Sequence, residues 1–281
     1  MAEEHVDASF LYNGQPILGD DAFLRRLPAG FSSEEKIRFE ALVFISDTLT
    51  WAFQAIRLGA LRCAERGIAT TCERAELFAA AWSIVDSVHA ARTIINTIAK
   101  NGAGPKTRDF IESTSDFTLL RNDMDHLDQK VAGLAGAKGH RRPLFGALSF
   151  FYSKQSDLIE GPNGPHLSRG ASIIISAGAP GAAELMPLSI PRGEVIAFPI
   201  DLFRLSAFKY EILLAPPIAK FAGFIRHLNE SVEESVKRQA MDHVEKNGGV
   251  IEDVMNSNPF GMIIRAEIEF PLEYNVKSSI D

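Results

Sequence analysis

Arg121, Asn122 and His126 stand close together in the stretch Leu120-Arg121-Asn122-Asp123-Met124-Asp125-His126. Arginine's planar fork can hold two phosphate oxygens at once. Histidine takes or gives a proton near neutral pH. Asparagine adds a donor and an acceptor that can orient a reacting group. Cleavage of RNA by its own 2′-hydroxyl needs these parts: a proton carrier, a cation on the phosphate, and something to align them. On a helix Asn122 and His126 are four apart and share a face. Arg121 is five positions from His126, about 140° round the axis. Its long side chain must curl toward the histidine, or a second copy of the helix across a two-fold axis must bring the groups together.

Other residues compete for the chemistry. Asp123, Asp125 and Asp128 crowd His126 with negative charge that repels RNA. The same acids with His126 offer ligand types for a divalent metal, although such spacing is common on solvated helices. Asp86, His89, Thr93 and Asn96 recur three or four apart and form a polar stripe on an otherwise apolar helix. That stripe is either a solvated face or a wall opposite the arginine–histidine pair, with Asp86, His89 and Asn96 in support. Asp86, Ser87 and His89 are triad residue types, but no nucleophile-elbow sequence surrounds them. Gly102 to Lys106 and Gly161 to Pro165 lack the full phosphate-loop pattern and read as turns. No cofactor motif appears.

The elements that must position these groups are helical up to about residue 135. Phe31-Ser32-Ser33-Glu34-Glu35, a serine cap with acids in the first turn, is a helix start, and Gly67 a helix end. Between them Phe39, Leu42, Val43, Leu49, Phe53, Ile56 and Ala60 form one apolar stripe. Phe44, Trp51 and Leu58 form a second, which needs its own partner: another helix of the chain or the same helix of a second subunit. A further helix runs from Thr70 to about Lys100, a short one from Lys106 to Glu112, and the motif helix from Ser115 to about Leu134. Two long and two shorter helices suggest an antiparallel bundle over 34–135, preceded by an arm over 1–33.

Beyond it, 136–143 is a basic linker holding Lys138, His140, Arg141 and Arg142. The chain then takes on a strand period, with strands expected at 144–153, 168–177, 194–200, 205–214 and 264–270. A helix over 217–247 carries the stripe Phe221, Phe224, Ile225, Leu228, Val232 and Val236, suited to covering one sheet face. The fold class is α+β: a helical bundle followed by an antiparallel sheet with a covering helix over 144–281.

Composition narrows the function. The net charge of -7 argues against coating nucleic acid by bulk charge, yet residues 34–142 are near neutral. Cys63 and Cys72 form no disulfide framework or zinc pattern. An acidic N-terminus without an apolar run, and no long apolar span, point to a cytoplasmic protein without a membrane partner.

Arg121-Asn122-x3-His126 resembles the R-x4–6-H signature of HEPN domains, in which a small polar residue often follows the arginine. A late helix of a helical bundle is also where that family carries it. The resemblance covers roughly 34–135. It implies a homodimer with two motifs facing one cleft, and a metal-independent endoribonuclease of toxin or phage-defence systems, sometimes with a neutralising partner protein. It implies that Arg121 binds the scissile phosphate, His126 is the acid or base, and Asn122 orients or binds. Lys138, His140, Arg141 and Arg142 would then hold RNA. The alternative is a non-catalytic dimeric RNA- or nucleotide-binding or regulatory interaction module with a vestigial motif. A third reading has Arg121 merely pairing with acids such as Asp86 or Asp125.

Overall fold

The computed structural model describes residues 9–28, 30–99, 104–129, 144–154, 158–161, 164–167, 170–178 and 200–247. The expected linker at 136–143 and the expected strand at 264–270 lie outside these residues.

Helix α1 spans Ser9–Tyr12 and α2 Ser33–Arg66. Ser32 and Glu35 close a reciprocal cap on α2: the Ser32 hydroxyl accepts from the Glu35 amide, and the Glu35 carboxylate accepts from the Ser32 amide. Gly67, at φ 70°, ends α2 in the left-handed conformation that glycine adopts without steric cost. Helix α3 spans Thr71–Ala99. Thr70 and Glu73 repeat the reciprocal cap, and Arg66 from the end of α2 also binds Glu73. These bonds, the Thr70 amide first and Arg66 next, hold the Glu73 carboxylate down to about 2.

A pH prediction follows from that depressed value. Stability from Glu73 is fully present above its ordinary range near 4.5 and is lost as pH falls through about 2. Glu73→Gln is therefore expected to lower the melting temperature at pH 6, with the gap to wild type closing between about 4.5 and 2. A gap independent of pH removes the carboxylate from the account.

Helix α4 spans Pro105–Ser113 and α5 Ser115–Asp125. The motif helix expected over 115–134 is interrupted rather than continuous: residues 127–129 are helical again, and 130–134 lie outside the described residues. It breaks at His126, whose φ of -105° and ψ of 35° are not helical. Asp123 and Asp125 account for the break: aspartate is a poor helix former, and negative charge opposes the helix dipole at a C-terminus.

Strands β1 (Ala147–Tyr152), β4 (Ala171–Ser176), β5 (Ile200–Ala207) and β6 (Tyr210–Leu213) form an antiparallel sheet in the order β4-β1-β5-β6. A separate hairpin joins β2 (Leu158–Gly161) to β3 (Gly164–Leu167). Gly146, before β1, has φ 97°, and a Cβ there would lie 2.8 Å from the Ser206 carbonyl. Only glycine fits both constraints. Helix α6, Ala215–Asn247, follows β6 and carries prolines in its first turn, where a missing amide costs no helical bond.

The 205–214 segment is not one strand. It folds back at Phe208-Lys209, so that Ala207 pairs with Tyr210. Phe208 takes φ 50°, normally a glycine position, while being almost fully buried. Burial of the ring offsets a backbone cost of order 1–3 kcal/mol. A bulge lies further along β5. Ser149 pairs with Arg204 but Phe151 with Asp201, and Leu202 sits in the bulge at φ 58°.

Helices and sheet share one apolar core. Phe53 of α2 meets Phe203 of β5 at 5.8 Å, and Phe203 meets Phe150 of β1 at 5.6 Å. Phe110 of α4 meets Phe221 of α6 at 5.8 Å. The N-terminal segment is part of this core: Leu11, Ile17 and Leu24 are buried. Arg226 of α6 stacks over Phe10 and donates to the Ile17 carbonyl, while the Asn229 side chain accepts from the Leu24 amide.

Candidate functional site

Helix α5 packs along α3, and that contact brings the motif to the polar stripe. Phe117 and Leu120 of α5 are buried against the core, which turns Thr118 and Arg121 toward α3. Arg121 Nε lies 2.5 Å from Asp86 Oδ1 of α3. Its Nη1 donates to Asp125 Oδ1, one turn further along α5. One turn before Arg121, the Thr118 hydroxyl lies 3.4 Å from Nδ1 of His89. Two of the stripe residues, Asp86 and His89, therefore face α5. Thr93 and Asn96 are exposed, and the Thr93 hydroxyl donates to the His89 carbonyl of its own helix.

Asn122 and His126 are exposed, and Arg121 keeps 29% of its side-chain exposure. His126 stands at the C-terminal cap of α5, its amide bonded back to the Asn122 carbonyl. The site is dominated by carboxylates. Asp86 is held above the usual aspartate range because burial outweighs the opposing pull of Arg121, with Asp125 adding like charge. Arg121 thus links α3 to α5 through Nε and Nη1, and a phosphate gripped by two guanidinium nitrogens must displace or share one of these acids.

Among the described residues no group of three or more histidine, cysteine or acidic side chains is arranged to hold a metal ion, so Asp123, Asp125, His126 and Asp128 do not converge on one point. Lys138, His140, Arg141 and Arg142 lie outside the described residues. Thr118 is a participant that the sequence reading passed over, although it sits three before Arg121 on the same helical face. Arg92 is another. It donates to the Ile111 carbonyl and the Thr114 hydroxyl, fastening the α4–α5 corner to α3. No spacing signal marks it.

No family model, curated protein or solved structure matches the chain. No helix among the described residues is long and apolar enough to cross a membrane.

Proposed function

We propose that the chain is a dimeric, non-catalytic binding or regulatory module in which Arg121 of the motif pins α5 to α3. The observation that carries this reading is the occupation of the Arg121 fork by Asp86 and Asp125. A two-nitrogen grip on phosphate there requires giving up or sharing an ionic hydrogen bond, and Asp123 and Asp128 add repulsion nearby. Two like charges about 4 Å apart repel by roughly 4 kcal/mol at an effective dielectric near 20. That is comparable to what a charge-assisted fork returns, at about 1.5–3 kcal/mol for each hydrogen bond.

A second reading has its own support. His126 and Asn122 are exposed beside Arg121, and α3 brings His89 to the same face. In that reading the protein is a metal-independent endoribonuclease of the HEPN type. Arg121 leaves its acids to hold the scissile phosphate, His126 moves the proton, and Asn122 orients. Lys138, His140, Arg141 and Arg142 hold the RNA.

Incubating the purified protein with total RNA in EDTA separates the two, run beside His126→Ala and Arg121→Lys. The module reading expects no EDTA-resistant cleavage from any of them. Cleavage by wild type that drops about 10²–10⁴-fold in His126→Ala, with unchanged melting, overturns it in favour of the nuclease.

A further inference from the structure

Helix α2 carries four large apolar side chains on its exposed face: Ile37 at 66%, Phe44 at 70%, Trp51 at 58% and Leu58 at 49% exposure. They recur every seven residues, and Ala41, Thr48, Ala55 and Arg62 fall between them at the alternating four and three spacing of a coiled-coil seam. Large residues occupy one heptad position and, until Arg62, small ones the other. The opposite face of α2, including Leu42, Leu49, Phe53 and Ile56, is buried in the chain's own core.

We infer that a second copy of this chain docks on this face, the two α2 helices pairing antiparallel in full register. The reason is size. In a parallel pair each position faces its own copy, so Phe44 meets Phe44 and Trp51 meets Trp51, with Ala41 and Ala55 leaving voids between. In an antiparallel pair the two heptad positions face each other, and Phe44, Trp51 and Leu58 each find a small side chain. Phe44 then meets the partner's Ala55, Trp51 the partner's Thr48 and Leu58 the partner's Ala41. Ile37 meets the apolar stem of the partner's Arg62, whose head stays in water. The same register superimposes the helix on itself end to end, Ser33 against the partner's Arg66. Neither end overhangs.

The area suffices. An aromatic side chain buries about 150–250 Å². Four large residues exposed by half to two-thirds offer roughly 400–500 Å² per copy, on the order of 1,000 Å² for the pair before the small residues count. Specific interfaces begin at about that size. A self-pairing face is also the isologous contact that makes a closed two-fold dimer. This inference gives the dimer of the proposed function its surface, but it rests on α2 alone and is tested without RNA.

Light scattering at micromolar concentration is expected to give twice the chain mass for wild type. Phe44→Glu and Trp51→Glu are each expected to give a monomer with unchanged helical circular dichroism, since both side chains are exposed. Cross-linking fixes direction. In a Cys72→Ser background, Thr48→Cys is expected to join to its own copy through a short bis-maleimide, because the two sites sit within about one helical turn of each other across the axis. Ala41→Cys is expected not to join, its copies lying about 25 Å apart along the pair. A monomeric wild type, or a dimer that survives both charged substitutions, overturns the interface. Self-joining at Ala41→Cys overturns the antiparallel arrangement. A monomer in which Trp51 resists solvent quenchers assigns the face to the chain's own remaining segments or to another partner. RNA cleavage is not a readout in any arm, so a monomeric wild type removes the dimer from the proposed function, while the choice between module and nuclease is still made by the cleavage assay.

Discussion

Phe203→Ala is expected to cost about 3–5 kcal/mol and to lower the melting of helices and sheet together. Phe203 is fully buried and stands between Phe53 of α2 and Phe150 of β1. Removing its ring empties space that neither neighbour can fill, because each is held by its own element. The transfer loss and the cavity add. The bulge at Leu202 lies beside Phe203 and its strained backbone gains nothing from the smaller side chain, so relaxation is limited. Trp51 and Trp82 report on the helices, and Trp82 also donates its indole N–H to the Phe145 carbonyl just before β1. Tryptophan fluorescence and far-ultraviolet circular dichroism should move to the lower temperature in step. If the tryptophan transition stays at its wild-type position while part of the dichroism melts early, helices and sheet fold on separate cores.

How much of this was legible in the sequence depends on whether the deciding interaction was local. The serines and acids of 32–35 announced the start of α2, and Gly67 its end, because caps are satisfied within a few residues. The stripe from Phe221 to Val236 likewise announced α6. The hairpin turn at Phe208-Lys209 was hidden, since neither residue is a turn former and the apolar alternation runs straight through it. What offsets the left-handed backbone of Phe208 is burial of its ring in the core, which no local pattern announces. The break at His126 was readable in principle from the aspartates before it, but the apolar period runs across it, and the chain is helical again over 127–129.

The site divides in the same way. The three-and-four spacing of Asp86 and His89 placed them on one face, and both do turn toward α5. The spacing could not say that Thr93 and Asn96 stop short of it, because the crossing of α3 and α5 decides where their contact ends. Nor could it rank the acids around Arg121. Asp125 is reached within one helix, whereas Asp86 is reached only because Phe117 and Leu120 anchor α5 at this height on α3.

Arg121→Ala is expected to destabilise the chain by about 1–2 kcal/mol at neutral pH, and that loss should shrink in acid. Exposed ion pairs contribute about 0.2–1 kcal/mol each, and Asp86 and Asp125 keep 56% and 52% exposure, so the two pairs alone sit at the lower end. The remainder comes from Asp86. Burial already raises it above its usual range, and Arg121 is the main opposing influence. Without the arginine its folded-state value rises further. An acid raised on folding binds its proton more tightly in the folded chain, so its effect on stability is most favourable below its unfolded value and is lost as pH rises through the folded one. The variant should therefore lose most stability near neutrality and approach wild type as pH falls through the raised Asp86 value toward the ordinary aspartate range. Asp86→Asn added to Arg121→Ala should recover part of the loss at neutral pH by removing the stranded charge, while Asp86→Asn alone should cost less than Arg121→Ala. Denaturant midpoints of the four proteins at pH 7 and pH 4 complete the cycle. Strict additivity at pH 7, with the same gaps at pH 4, means that Arg121 does not pin α5 through Asp86, and the case for a structural clamp over a phosphate site fails with it.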